Sequence, residues 1–551
     1  MRRWVVAAVS LAFGATEAAS PKPLALRRVD LDLPGPPAAV VAADLDRDGR
    51  RDLLVVTATT SWGSIMEERI EAAIEVTEVV PALFDKREAR AFLAQADGTY
   101  RAVPALSLPA EVLAVAAGPT ERPLVALTSD GLSEVALVSK DGVAALDLVP
   151  FLSEPSAFAG SRTFLAEYAF LRDVDGDGAL DAVIPTPDGI AIHPKLAEAT
   201  SYRGRLPGDT RDDDANGVER TLPVPDFLDV DGDGVRDLVV RDLGASPQRI
   251  AVARGKGGGA FGAPSWVALG CLVPPPKPKP SPAPKPTPKP KRGDQDDEGG
   301  PSEEPKHVVW IGDLDGDGHA EVVTREGLDT KSGMKQAKKP RMRYEIHRLK
   351  PDLTVETAAK QTFEALGYAF SGGFQDDVDI DFLDLDADGR KDLVTITLDF
   401  SVFQLLRAMT AKKIGIGLEF HVLSQKQDGA FSLVEGQTLD EKLRLDLNHL
   451  EVSRLGQFRG DFDGDGRIDF VHLGKGTSVT IHRGQPGGRY PEKPDLEIAL
   501  DEEPQDVMLV RVTDLDGDGR SDLGITRTLE AGEAGTTAPA RLELRLSGGA
   551  K

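Results

Sequence analysis

The 551 residues contain one cysteine, Cys271, so no intramolecular disulfide can form and stability must come from elsewhere, bound metal being one source. Aromatic residues make up only 5% of the chain, and no stretch beyond the N-terminal region approaches the ~18 consecutive apolar residues of a membrane-spanning helix. Basic residues are in deficit. The 65 Lys and Arg face 90 Asp and Glu, and a net charge of −25 argues against nucleic acid as a partner, because phosphate binding needs a basic footprint. No Ser-His-Asp spacing, nucleophile elbow or phosphate loop stands out, and the Gly-rich "RGKGGGAFG" ends a strand pattern, which makes nucleotide binding a poor reading.

What the chain does have is Gly, Pro and short Val/Leu/Ile runs set between turn residues, a pattern of many short strands that predicts an all-β protein. Residues 1–18, "MRRWVVAAVSLAFGATEA", combine a basic start, a short apolar stretch and small residues suited to cleavage, and read as an export signal. The expected destination is the periplasm or the extracellular space. No cysteine follows that would carry a lipoprotein anchor.

One phrase recurs seven times: "DLDRDGRRD", "DVDGDGALD", "DVDGDGVRD", "DLDGDGHAE", "DLDADGRKD", "DFDGDGRID" and "DLDGDGRSD". Each copy has acids at positions 1, 3, 5 and 9 and Gly at position 6. Alternate carboxylates in a tight loop can converge on a hard cation such as Ca²⁺, which takes six to eight oxygens, while Gly at 6 permits the sharp turn. Position 7 would offer only its backbone carbonyl. The candidate ligands, at positions 1, 3, 5, 7 and 9, are Asp44, Asp46, Asp48, Arg50 and Asp52 in the first copy and Asp173, Asp175, Asp177, Ala179 and Asp181 in the second. The third and fourth copies supply Asp229, Asp231, Asp233, Val235 and Asp237, then Asp313, Asp315, Asp317, His319 and Glu321. The last three supply Asp384, Asp386, Asp388, Arg390 and Asp392, then Asp461, Asp463, Asp465, Arg467 and Asp469, then Asp514, Asp516, Asp518, Arg520 and Asp522. An EF-hand would need Glu at position 12, where this chain has Val55, Ile184, Val240, Thr324, Thr395, His472 and Ile525. The acid at 9 is followed by β-branched runs, so each loop sits between two strands. A solvated Asp-Gly turn explains one such cluster better than seven.

These loops resemble the FG-GAP or VCBS-type repeats of integrin α-subunit heads and of many secreted bacterial proteins. "GGGAFGAPSWVALG" at 257–270 resembles that family's stretch between strands 3 and 4, with weaker echoes in "QADGTY" and "KQDGAF". The resemblance implies a β-propeller of four-stranded antiparallel blades over residues 25–548, with up to seven structural Ca²⁺ ions in loops joining strands 1 and 2. The long step from Asp44 to Asp173 hides a further unit without a metal loop, in which "GPTERP" replaces it, so eight blades are expected, or seven if one unit is misread. Only three strands follow Asp514, so a strand around 27–33 is expected to complete the last blade and close the ring.

In such a blade the 1–2 and 3–4 turns share one face. The insertions at 60–87, 325–343 and 398–417 would lie on the opposite face, as would the acidic 210–219 and the Pro-rich then acidic insertion at 274–306. That face is the expected site for an unidentified protein or glycan, bound by a protein expected to be monomeric and non-catalytic. "SVFQLLRAM" has the spacing of a short amphipathic helix. His193, His347, His421 and His482 occupy similar places in their repeats, and repeat ancestry explains them better than a shared metal site. The alternative is a calcium-dependent carbohydrate-active enzyme of polysaccharide lyase type, with Lys338, Lys339, Arg341 and Arg343 the only obvious place to look for a base.

Overall fold

Runs such as "LLVV" are apolar at every position because their strands are buried on both faces. In the computed structural model, Leu53 and Val55 pack towards one neighbouring sheet while Leu54 and Val56 pack towards the other. The structure describes residues 23–59, 86–158, 164–165, 168–214, 217–221, 223–243, 245, 247–273, 305–329, 337–371, 382–401, 404, 413–437, 439–446, 451–453, 456–473, 477–502, 504, 510–529 and 539–547. The export signal, the Pro-rich tract, most of the insertion at 60–87, residues 330–336 and nearly all of "SVFQLLRAM" lie outside them.

Eight antiparallel sheets follow one another along the chain: blade 1 at 37–107, blade 2 at 112–153, blade 3 at 171–204, blade 4 at 226–268, blade 5 at 307–366, blade 6 at 368–446, blade 7 at 457–499 and blade 8 at 510–546. Each blade pairs its strands in chain order. Blade 6 departs from simplicity: its first strand is split into Tyr368–Ala369 and Phe382–Leu383, and its fourth into Phe431–Leu433 and Leu439–Asp446. The acidic 210–219 segment enters a two-stranded hairpin, Thr210–Asp214 with Gly217–Thr221, between blades 3 and 4.

Apolar clusters fill the spaces between neighbours. They join blades 1 and 2, 2 and 3, 3 and 4, 4 and 5, 5 and 6, and then 6, 7 and 8. A last cluster joins blade 8 to blade 1 through Leu515, Leu542, Leu544, Leu53 and Val55, which closes the ring of eight. The seven-bladed alternative is thereby eliminated. Blade 2 is the unit without an acidic loop; Gly118 N–H donates to Pro123 O across its 1–2 turn at 3.0 Å.

The closing strand is Arg27–Leu33, and it pairs antiparallel with Ala540–Leu546 from Arg27 opposite Leu546 to Leu33 opposite Ala540. An ion cluster lies across this seam. Glu543, fully buried, meets Arg527 at 3.2 Å and Arg545 at 2.6 Å, and Arg28 of the closing strand is 3.9 Å away. Arg28 also reaches Asp501 at 2.6 Å, so one side chain links the closing strand to both blade 8 and the segment that precedes it.

Candidate metal centres

Each acidic loop turns through two left-handed residues. The position 6 glycines have φ between +80° and +87° (for instance Gly318 at 80° and Gly49 at 87°), and added Cβ atoms at Gly49, Gly178, Gly234, Gly318, Gly389 and Gly519 would meet nothing within 4 Å, so the backbone angle and not crowding selects glycine. Position 4 is left-handed as well. It is Gly in five copies, but Arg47 and Ala387 hold φ of 60° there, a conformation costly for residues with a Cβ.

The acids divide into anchors and open ligands. Position 1 folds the loop on itself: Gly176 N–H donates to Asp173 Oδ1 at 2.7 Å and Gly178 N–H to Oδ2 at 3.1 Å, and the same contact from position 6 recurs in every loop, as with Gly466 and Asp461. Position 5 accepts the N–H of position 7, as Asp233 does from Val235 at 2.8 Å. Position 9 is buried and joins two turns. Asp392 accepts Leu385 N–H of its own loop at 3.2 Å and Gln425 N–H from the end of strand 3 at 2.8 Å. Asp52, Asp181, Asp237, Asp469 and Asp522 do the same with Ala94, Lys195, Gly255, Gly484 and Ser547. These bonds place the 1–2 loop and the 3–4 turn at the same end of the blade.

Position 3 is bonded by a backbone N–H in blades 3, 6 and 8, as Asp386 is by Gly487 at 2.6 Å, but keeps an open oxygen in blades 4, 5 and 7. Asp231 is 6% exposed, and its Oδ1 is buried with no hydrogen-bond partner; the equivalent Oδ1 atoms of Asp315 and Asp463 are in the same condition. A buried carboxylate oxygen without a partner is costly, and a cation among these loops would supply one. In blades 1, 3, 4, 5 and 6 three acids each place an oxygen within 4.8 Å of the others, as Asp229, Asp231 and Asp233 do. Oxygens at positions 1 and 5 that accept one N–H keep a second lone pair for a metal. The donor set is all oxygen, which fits a hard divalent cation such as Ca²⁺.

Metal-free, these loops are electrostatically uncomfortable. Burial pushes Asp392 and Asp469 up to about 7 and Asp522 up to about 6, against the lowering effect of their backbone hydrogen bonds. Basic side chains approach the acids in several blades. Arg50, Arg390, Arg467 and Arg520, all at position 7, turn back onto the position 5 carboxylates Asp48, Asp388, Asp465 and Asp518. Three of them also bond the end of strand 3, as Arg467 Nε does to Gly484 O at 2.8 Å. Position 7 therefore carries a side-chain contact in these loops as well as its carbonyl.

A family model described as an FG-GAP-like repeat matches residues 461–525, which run from the acidic loop of blade 7 to the second strand of blade 8, one full repeat. The chain is an eight-bladed β-propeller that carries an FG-GAP-like repeat. No curated protein matches it.

Within the propeller, the four strand 3 histidines sit in blades 3, 5, 6 and 7, one to a blade, and do not converge. His193, His347 and His482 each use Nδ1 to bond a carbonyl of their own 3–4 connection, Ala197 at 3.1 Å, Glu356 at 3.0 Å and Pro491 at 2.8 Å. His421 instead meets Thr397 at 3.1 Å. Burial lowers His347 and His421 below the usual imidazole range. The basic side chains of the blade 5 insertion are also engaged. Lys338 lies 3.6 Å from Asp399 and over the Phe400 ring, Lys339 is 3.3 Å from Glu419, Arg341 pairs with Asp329 and Arg343 with Glu326. This segment stitches blade 5 to blade 6.

Proposed function

We propose that the protein is an exported, calcium-stabilised propeller that binds a protein or glycan through the face opposite its acidic loops and carries out no chemistry itself. The observation that carries the calcium assignment is the unpartnered, buried Oδ1 of Asp231, repeated at Asp463, in loops whose other acids are held by backbone N–H groups. Position 3 would supply the metal's most available oxygen, with positions 1 and 5 completing the cage. Position 9 would tie the loaded loop to the end of strand 3.

Calcium bound by the folded state alone adds stability by mass action. Its role here is structural: it offsets repulsion among crowded carboxylates and fixes one face of the ring. The binding surface is assigned to the opposite face because 2–3 and 4–1 connections emerge there, including the hairpin at 210–221 between blades 3 and 4. The basic residues considered as a lyase base are held in ion pairs, Lys338 and Lys339 with acids of blade 6 and Arg341 and Arg343 with acids of blade 5, which weighs against an enzymatic role.

Thorough calcium removal is expected to lower the melting temperature markedly, and re-addition to restore it. An unchanged melting curve rejects the calcium assignment. Glycan and protein arrays probed with the calcium-loaded protein test the binding role, and cleavage of acidic polysaccharides, read by absorbance near 235 nm, would replace it with the enzymatic one.

A further inference from the structure

Blade 5 breaks the pattern of the other loops at two places. Its position 9 acid is Glu321, the one Glu among seven, whose side chain is one methylene longer than that of Asp. One oxygen still accepts the loop N–H, from Leu314 at 3.0 Å. The backbone N–H that should meet the other oxygen, on Leu349, bonds Ala320 O instead at 3.0 Å. Lys360, just before the fourth strand, fills that place: its Nζ lies 3.1 Å from Glu321 Oε1, 2.6 Å from Asp315 Oδ2 and 3.9 Å from Asp317 Oδ2. One ammonium thus contacts the acids at positions 3, 5 and 9 together.

Basic side chains elsewhere do not reach this point. Lys195 pairs with Asp177, Arg254 with Asp231 and Arg483 with Asp463, and among the described residues no basic side chain pairs with a position 9 aspartate. None of these bridges the acid at position 9 to those at positions 3 and 5. Lys360 does.

We propose that the Lys360 ammonium is the resident cation of the blade 5 loop, standing where the other loops take a divalent ion. The proposal rests on the calcium reading above for those other loops. It makes blade 5 indifferent to chelation and limits the protein to six calcium ions.

The test is the count of tightly bound Ca²⁺, by native mass spectrometry and elemental analysis of the full chain, in the wild type, Lys360→Met and Lys360→Arg, with metal-free melting as a second readout. Lys360→Met is expected to bind one more calcium than the wild type and to melt at a lower temperature when metal-free. Lys360→Arg should keep the wild-type count. Asp315→Asn should leave the wild-type count unchanged, whereas Asp231→Asn should lower it by one. An equal count in wild type and Lys360→Met, or loss of one ion in Asp315→Asn, overturns the proposal while leaving the calcium reading intact. If no variant binds calcium, the calcium reading fails and metal-free melting decides: a lower temperature for Lys360→Met alone retains Lys360 as the loop's cation, and equal temperatures reject it.

Discussion

Stripping calcium at pH 8 and at pH 5 should have unequal consequences, because the buried acids at position 9 resist ionisation in the metal-free fold. Their pKa values are raised on folding, so the neutral form is favoured in the native state. The cost is absent below the unfolded value near 4, grows as pH rises, and is complete above about 7 for Asp392 and Asp469 and above about 6 for Asp522. A rise of about three pH units corresponds to a ceiling of about 4 kcal/mol for each of Asp392 and Asp469, a large fraction of the ~5–15 kcal/mol that holds a typical domain together. Calcium favours the ionised form and removes the cost. Melting of the calcium-free protein is therefore expected to move to lower temperature between pH 5 and pH 8, with the gain on adding calcium widening over the same range. General repulsion from the net charge has the same sign, so the decisive comparison uses Asp392→Asn. This variant gives up one of two backbone contacts, about 1 kcal/mol, but has no charge to bury. In differential scanning calorimetry without calcium at pH 8 it should melt above the wild type, and with calcium it should melt below. A variant that melts below the wild type in both states refutes the reasoning.

Ala387→Gly relieves a left-handed residue at position 4 and should stabilise the protein by about 1 kcal/mol, read as a shift in denaturation midpoint with the denaturant slope unchanged. Arg47→Gly should gain less, since it gives up the 3.0 Å bond from Arg47 to Glu121 O of blade 2. Glu543→Ala leaves Arg527 buried without its carboxylate and should cost about 3–5 kcal/mol in chemical denaturation. Removing residues up to 33 should expose the edge of Ala540–Leu546 and produce concentration-dependent association in analytical ultracentrifugation, whereas a monodisperse, fully stable product would mean that the closing strand is dispensable.

The fold was legible where its cause is local. Acids and glycine at fixed spacing announce the loops, apolar runs announce the buried strands, and four such runs revealed blade 2 without its metal motif. The closing strand could be placed at 27–33 because a three-stranded remainder after Asp514 demands a fourth, and Arg27–Leu33 is where it lies. The left-handed residue at position 4 is signalled by glycine in five of the seven copies. Other features depend on partners remote in sequence. Asp52 and Ala94 are 42 residues apart and Glu321 and Lys360 are 39 apart, and a backbone N–H leaves no trace in the identity of its residue.

That distance explains why position 9 behaves differently from the other acids. A residue that only bound metal could be Asp or Glu with modest consequence, since both offer two oxygens. A carboxylate that must span from a loop N–H to the last N–H of strand 3 has a fixed reach, and Asp supplies it in six blades. Glu321 is one methylene longer, and its second oxygen is met by Lys360 while Leu349 turns to Ala320. The choice of acid at one position thus couples two properties of each blade: how its rim is fastened to strand 3, and whether the centre of its loop is left for a metal.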